Sequence, residues 1–96
     1  MICENIKELR ELRGLTQTDL AKKLGLTRSS VNAWEMGISI PSTQYIIELA
    51  NLFKVSTDYI FGLTPELTIN IGHLSEEEKT MIFALMKILD KKRAPQ

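Results

Sequence analysis

The stretch LTQTDLAKKLGLTRSSVNAWEMG, residues 15–37, decides the fold. Thr16 and Thr27 each follow a leucine, and a threonine hydroxyl at a helix start can accept an orphan backbone N–H. Leu15 with Leu20, and Leu26 with Val31, stand at the spacing of a hydrophobic staple, which fixes the angle at which the chain enters a helix. Two helices are therefore expected, one opening at Thr16 and running through Leu24, the next opening at Thr27 and ending near Met36. Gly25 lies between them, where the chain needs a left-handed residue. Ala21 is small where the two helices cross closely, and Val31 is the apolar inward residue one turn into the second.

The flanking sequence continues the pattern. An earlier helix spans about Glu4–Arg13, with Ile2, Ile6, Leu9 and Leu12 on one side, and Gly14 stops it. After Pro41 a fourth helix opens at Ser42 and turns Tyr45, Ile46, Leu49, Ala50 and Phe53 inward. A short fifth opens at Ser56 and ends at Gly62, with Val55 and Ile60 as its staple. Five short helices joined by short loops predict an all-α bundle over residues 1–64. Pro65 begins an extension, residues 65–96. Leu67–Ile71 alternates apolar and polar, as a short strand or an extended linker does. Ser75 to Glu78 has the form of a capping box, with acids at the positive end of a helix and Lys91, Lys92 and Arg93 at its far end. The last helix is placed at about Glu76–Lys92.

Composition sets bounds. The chain has 96 residues, 44% hydrophobic and 25% charged, with 12 basic and 12 acidic side chains that cancel. That is one modest globular core and excludes whole-chain disorder. The nearly apolar run Met81–Leu89 is too short to span a bilayer, and the charges of Met1–Arg13 do not form a signal peptide. One cysteine, Cys3, and one histidine, His73, make neither an intramolecular disulfide nor a structural zinc site, so no metal, no cofactor and a reducing cytoplasmic setting are expected. No carboxylate pair, nucleophile–base pair or phosphate-cradling glycine loop points to an enzyme, and no pocket for a small-molecule effector is evident. Zero net charge weighs mildly against a nucleic-acid partner, but such binding needs a positive face rather than a positive total.

Two helices joined by a tight turn project the start of the second into a DNA major groove. Counted around that helix, Arg28, Ser29, Asn32 and Ala33 share one face, and Val31 and Trp34 share the opposite one. Arg28 can grip guanine O6 and N7; Ser29 and Asn32 can read several base edges; the Ala33 methyl can rest on a thymine methyl. Gln17 and Thr27 begin their helices, where side-chain and backbone N–H groups can hold phosphate.

The same stretch, followed by IPSTQYIIELANLFKVSTDYIFGL at residues 40–63, resembles the Cro and phage-repressor helix-turn-helix family, also called the xenobiotic-response-element type. Thr-Gln at the start of the second helix, Ala-x-x-x-Gly, Trp-Glu-x-Gly, Pro-Ser and Ser-x-Asp-Tyr-x-x-Gly occur in the family's order, over about Ile6–Leu63. The resemblance implies a five-helix, lambda-repressor-like bundle that binds double-stranded DNA operators as a dimer. It also implies that Arg10 and Glu35 form an ion pair locking the first helix to the third. One departure is the loop Gly37–Pro41, which has no Lys or Arg where members of the family often place one. Ser39, Ser42, Thr43 and Gln44 remain as neutral phosphate donors. Within residues 16–36 the three cations Lys22, Lys23 and Arg28 exceed Asp19 and Glu35 by one charge, so few phosphate ion pairs and a shallow salt dependence are expected.

The last helix is apolar over most of its circumference. It can fold back on its own bundle, but one stripe would then remain exposed, and such patches mark interfaces. Met81, Ile82, Leu85, Ile88 and Leu89 are expected to form a homodimer contact. The function expected is that of a dimeric transcriptional regulator, a repressor on an inverted-repeat operator near the nucleoid. The alternatives are an antitoxin that represses its own operon, and a protein–protein interaction module that keeps the fold without operator binding.

Overall fold

The computed structural model describes residues 1–65, 67 and 70–92. Six helices follow in order: α1 Ile2–Leu12, α2 Gln17–Leu24, α3 Arg28–Glu35, α4 Thr43–Phe53, α5 Thr57–Phe61 and α6 Glu76–Lys92. The starts are set by caps. At α2 the Asp19 N–H donates to Thr16 Oγ1 at 3.0 Å and the Asp19 carboxylate accepts from the Thr16 N–H at 2.9 Å. The Thr16 N–H first, and then the Thr16 hydroxyl, hold the Asp19 carboxyl below its ordinary range. A carboxylate held low stabilises the folded state above its unfolded pKa, and this contribution is lost as pH falls through the folded value. Thr27 caps α3 and Ser56 caps α5 through the N–H groups of Ser30 and Tyr59. Ser75 and Glu78 form the reciprocal pair at α6, at 2.9 and 3.1 Å.

The apolar residues of the first five helices feed one core. Ile6, Leu20, Val31, Ile46, Leu49, Phe53 and Ile60 are fully buried, with Leu9, Ala21, Leu24, Trp34, Ala50, Val55 and Tyr59 around them. Helix α3 packs on both α2 and α1, and α5 packs on α1 and α4. The expectation for Leu12 is corrected: it is 65% exposed. At 100° per residue the stripe through Ile2, Ile6 and Leu9 continues to position 13, not 12. Arg13 takes that place, and its guanidinium donates to the Phe53 carbonyl at 2.8 Å, satisfying the end of α4. Asn5 does the same for α5, donating to the Tyr59 carbonyl at 2.9 Å.

No strand occurs among the described residues. Of the expected strand or linker Leu67–Ile71, Thr68 and Ile69 lie outside the described residues. Asn70 ties the connection to the bundle, its N–H donating to the Lys54 carbonyl at 2.8 Å. Helix α6 has no buried residue. The radius of gyration is 15.6 Å, above the roughly 12–13 Å of a compact chain of this length. No helix among the described residues is long and apolar enough to cross a membrane.

The α2–α3 turn rests on Gly25, which has φ +71° with open space where a Cβ would stand. Gly25→Ala should therefore lose only the left-handed backbone cost, about 1–2 kcal/mol, seen as a lowered thermal midpoint with an unchanged helical circular-dichroism spectrum.

Candidate nucleic-acid interface

Helix α3 is divided lengthwise. Val31 is fully buried and Trp34 is 6% exposed; Trp34 lies against Tyr45 with ring centroids 5.7 Å apart. On the other side Arg28 and Ser29 are exposed, and Asn32 and Ala33 are half-buried. Of the four residues expected to read bases, Arg28 and Ser29 thus lie open at the beginning of the helix, and Asn32 and Ala33 follow one turn on, partly covered. Ser29 and Ala33 also line a shallow groove with Ser39, Ser42 and Tyr45, which runs between α3 and the start of α4.

What holds α3 in this attitude is polar. Glu35 accepts from Arg10 Nε at 2.6 Å and Nη2 at 3.0 Å, a two-pronged bond that suits a planar guanidinium. The two side chains are only 11% and 3% exposed. The hydrogen bond to Glu35 raises the Arg10 pKa, against the opposing effect of burial. Arg10 Nη1 donates further to the Leu15 carbonyl at 2.8 Å, so one side chain joins α1, the α1–α2 connection and α3.

The expected phosphate contacts are less uniform. Gln17 Nε2 donates to Glu35 Oε1 at 3.0 Å and to Asn32 Oδ1 at 3.2 Å. Both amino hydrogens are engaged inside the protein, so its backbone N–H, at the first position of α2, is the group left for phosphate. Thr27 Oγ1 accepts from the Ser30 N–H at 3.3 Å and lies 3.2 Å from Ser30 Oγ. Ser39, Ser42, Thr43 and Gln44 are exposed. Ser42 makes no side-chain cap bond, whereas Gln44 donates to Glu48 at 3.3 Å. The loop between α3 and α4 instead exposes Ile38 and Ile40, at 76% and 73%. Sequence reasoning missed the inward engagement of Gln17, which no spacing rule carries. On α6, Met81, Leu85, Ile88 and Leu89 are exposed and Ile82 is half-buried.

Residues 6–60 match the family model described as Helix-turn-helix, and the chain belongs to that family. It is similar to YobD, an uncharacterised HTH-type transcriptional regulator of Bacillus subtilis, at 38% identity over 69% of this chain and 59% of that protein. It is also similar to the antitoxin PezA of Streptococcus pneumoniae, at 35% identity over 94% of this chain and 62% of that protein. The chain spans about half the length of the first curated relatives it matches, between 46% and 59%. The crystal structure of a transcriptional regulator from Listeria innocua shares the fold, with a TM-score of 0.64 and 23% identity over 99% of this chain and 97% of that one.

Removing the cation alone leaves a buried carboxylate short of its partner. Arg10→Met should destabilise the fold by about 3–5 kcal/mol, and the paired change Arg10→Met with Glu35→Leu should recover much of the loss. Urea unfolding of both variants measures the difference.

Proposed function

We propose that the chain is a sequence-specific DNA-binding transcriptional regulator, working as a homodimeric repressor on an inverted-repeat operator. The observation that carries this reading is the open face of α3. Arg28, Ser29, Asn32 and Ala33 lie along it while Val31 and Trp34 anchor the helix from behind. Two such helices in successive major grooves stand roughly 34 Å apart on a duplex. Membership of the helix-turn-helix family and a relative named as a transcriptional regulator support the reading. Repression follows from occupying DNA that polymerase must cross, so the protein acts by binding, not catalysis, and in the cytoplasm beside the nucleoid.

The second copy is proposed to dock on α6. Met81, Phe83, Leu85, Met86, Ile88 and Leu89 are 41–66% exposed along it. Its first turn carries Glu76, Glu77 and Glu78, its last turn Lys91 and Lys92. An antiparallel pair about a two-fold axis sets acid against base at both ends and covers the apolar stripe. In this reading residues 1–64 bind DNA and residues 65–96 join protomers.

A second reading is favoured by the similarity to an antitoxin across most of the chain. There the same α6 surface would engage a different protein while the bundle still bound its operator.

Three measurements test these assignments. Arg28→Ala should relax preference at one base position in each half-site of sites selected from random DNA, where equal weakening on every sequence contradicts a base-reading role. The paired change Leu85→Glu with Leu89→Glu should give monomers in sedimentation; a dimer unchanged by it sinks the α6 assignment, and a monomeric starting protein favours the antitoxin reading. Salt titration on selected against random DNA separates a regulator from an interaction module, which would show no sequence preference at any salt.

A further inference from the structure

We infer that Gln17 is a positioning residue for specificity: with Glu35 it fixes the Asn32 carboxamide oxygen inward, so that Asn32 meets the base edges as a hydrogen-bond donor. This rests on the DNA-reading role proposed above and adds the polarity of one reading group.

The two ends of a carboxamide have nearly the same shape, so an isolated asparagine can present either. Here the choice is forced from one group to the next. The Arg10 guanidinium can only donate, and it meets the Glu35 carboxylate, which can only accept, at 2.6 and 3.0 Å. Glu35 Oε1 then faces Gln17 at 3.0 Å. Turning Gln17 over would set its oxygen against the carboxylate with no proton between them, so the Gln17 amino group must point this way. Its second hydrogen goes to Asn32 Oδ1 at 3.2 Å. Turning Asn32 over would set two amino groups face to face. Asn32 Nδ2 is therefore the end left over, and it has no hydrogen-bond partner among the described residues. Gln17 Oε1 carries the cost of this order: it is buried without a partner. An acceptor choosing its own best surroundings would not lie there, so its neighbours impose the orientation.

The consequence concerns base choice. A free asparagine grips adenine with both ends, its oxygen on N6–H and its amino group on N7. With one lone pair of Oδ1 taken by Gln17, the amino group is the end presented outward, and its targets are acceptors: guanine O6 and N7, thymine O4, or adenine N7, where the second lone pair of Oδ1 can still receive N6–H. Gln17, in a position expected to hold phosphate through its side chain, acts on the base step instead.

The test uses the full chain and sites enriched from random DNA. The Asn32 position is the one whose preference disappears in Asn32→Ala. Gln17→Met keeps the length of the side chain and removes its donor. It should change preference at the Asn32 position by about tenfold, the worth of one good base contact, and leave the other positions as they were. The same change made on top of Asn32→Ala should do nothing at that position. Asn32→Asp keeps the Gln17 bond and turns an acceptor outward, so its preference should move to cytosine, which presents its N4 amino group and no acceptor in the major groove. Thermal melting checks that each variant is folded, and Asn32→Asp serves alone if Gln17→Met is not. The inference is overturned if Asn32→Ala alters no position, if Gln17→Met weakens all positions alike or none, or if Asn32→Asp keeps the original base. Should the unaltered chain enrich no sequence, the DNA-reading role falls and the inference with it; enrichment with any of the other three outcomes overturns the inference alone.

Discussion

The Glu35 carboxylate has 3% of its side chain exposed and receives hydrogen bonds from Arg10 and Gln17. A buried charge of this kind is tolerated only when its lone pairs are met with good geometry. That requirement fixes more than one bond. Arg10 must lie along the inward side of α1, α2 must begin where Gln17 reaches the carboxylate, and the last turn of α3 must face both. The same guanidinium holds the Leu15 carbonyl, so the connection leading into α2 is tied to the same point.

Around that point α3 acquires two unlike faces. It has eight residues, little more than two turns, and a helix so short has no fixed attitude of its own. Val31 and Trp34 pull it onto the core by burial, while Glu35 sets its rotation by hydrogen bonding. Apolar contact alone tolerates small rolls of a helix; a two-pronged ion pair does not. Arg28 and Ser29 stay in solvent because the opposite side of the helix is already committed. The neutral total charge is no obstacle, since the open face needs only a local cation and neutral donors.

Helix α6 obeys a different constraint. In the bundle every apolar stripe meets another, whereas α6 carries six large apolar side chains that stay 41–66% exposed. In the preceding connection the Asn70 N–H bonds back to the Lys54 carbonyl. The surplus of apolar surface is a property of the single chain, and the second copy proposed above would remove it.

Much of this was legible in the residues themselves. Hydrogen bonds that close within three or four positions are written locally, so Thr16, Thr27, Ser56 and Ser75 announced helix starts, and glycines that take positive φ announced turns. The 3.6-residue period separated the open face of α3 from Val31 and Trp34. Its phase at the end of α1 was misjudged, since Leu12 falls off the inward stripe and Arg13, just past the helix, reaches the Phe53 carbonyl instead. Bonds between distant positions left no local trace. Arg13 caps a carbonyl 40 positions away and Asn5 one 54 away, and Gln17 turns inward because its amino group donates to the carboxylate of Glu35, from another helix. Sequence alone determined the six helices and which side of α3 is apolar, because those depend on neighbours along the chain. The tertiary structure decided how the Gln17 and Asn32 carboxamides are turned and that α6 stands uncovered, because those depend on groups that only folding brings together.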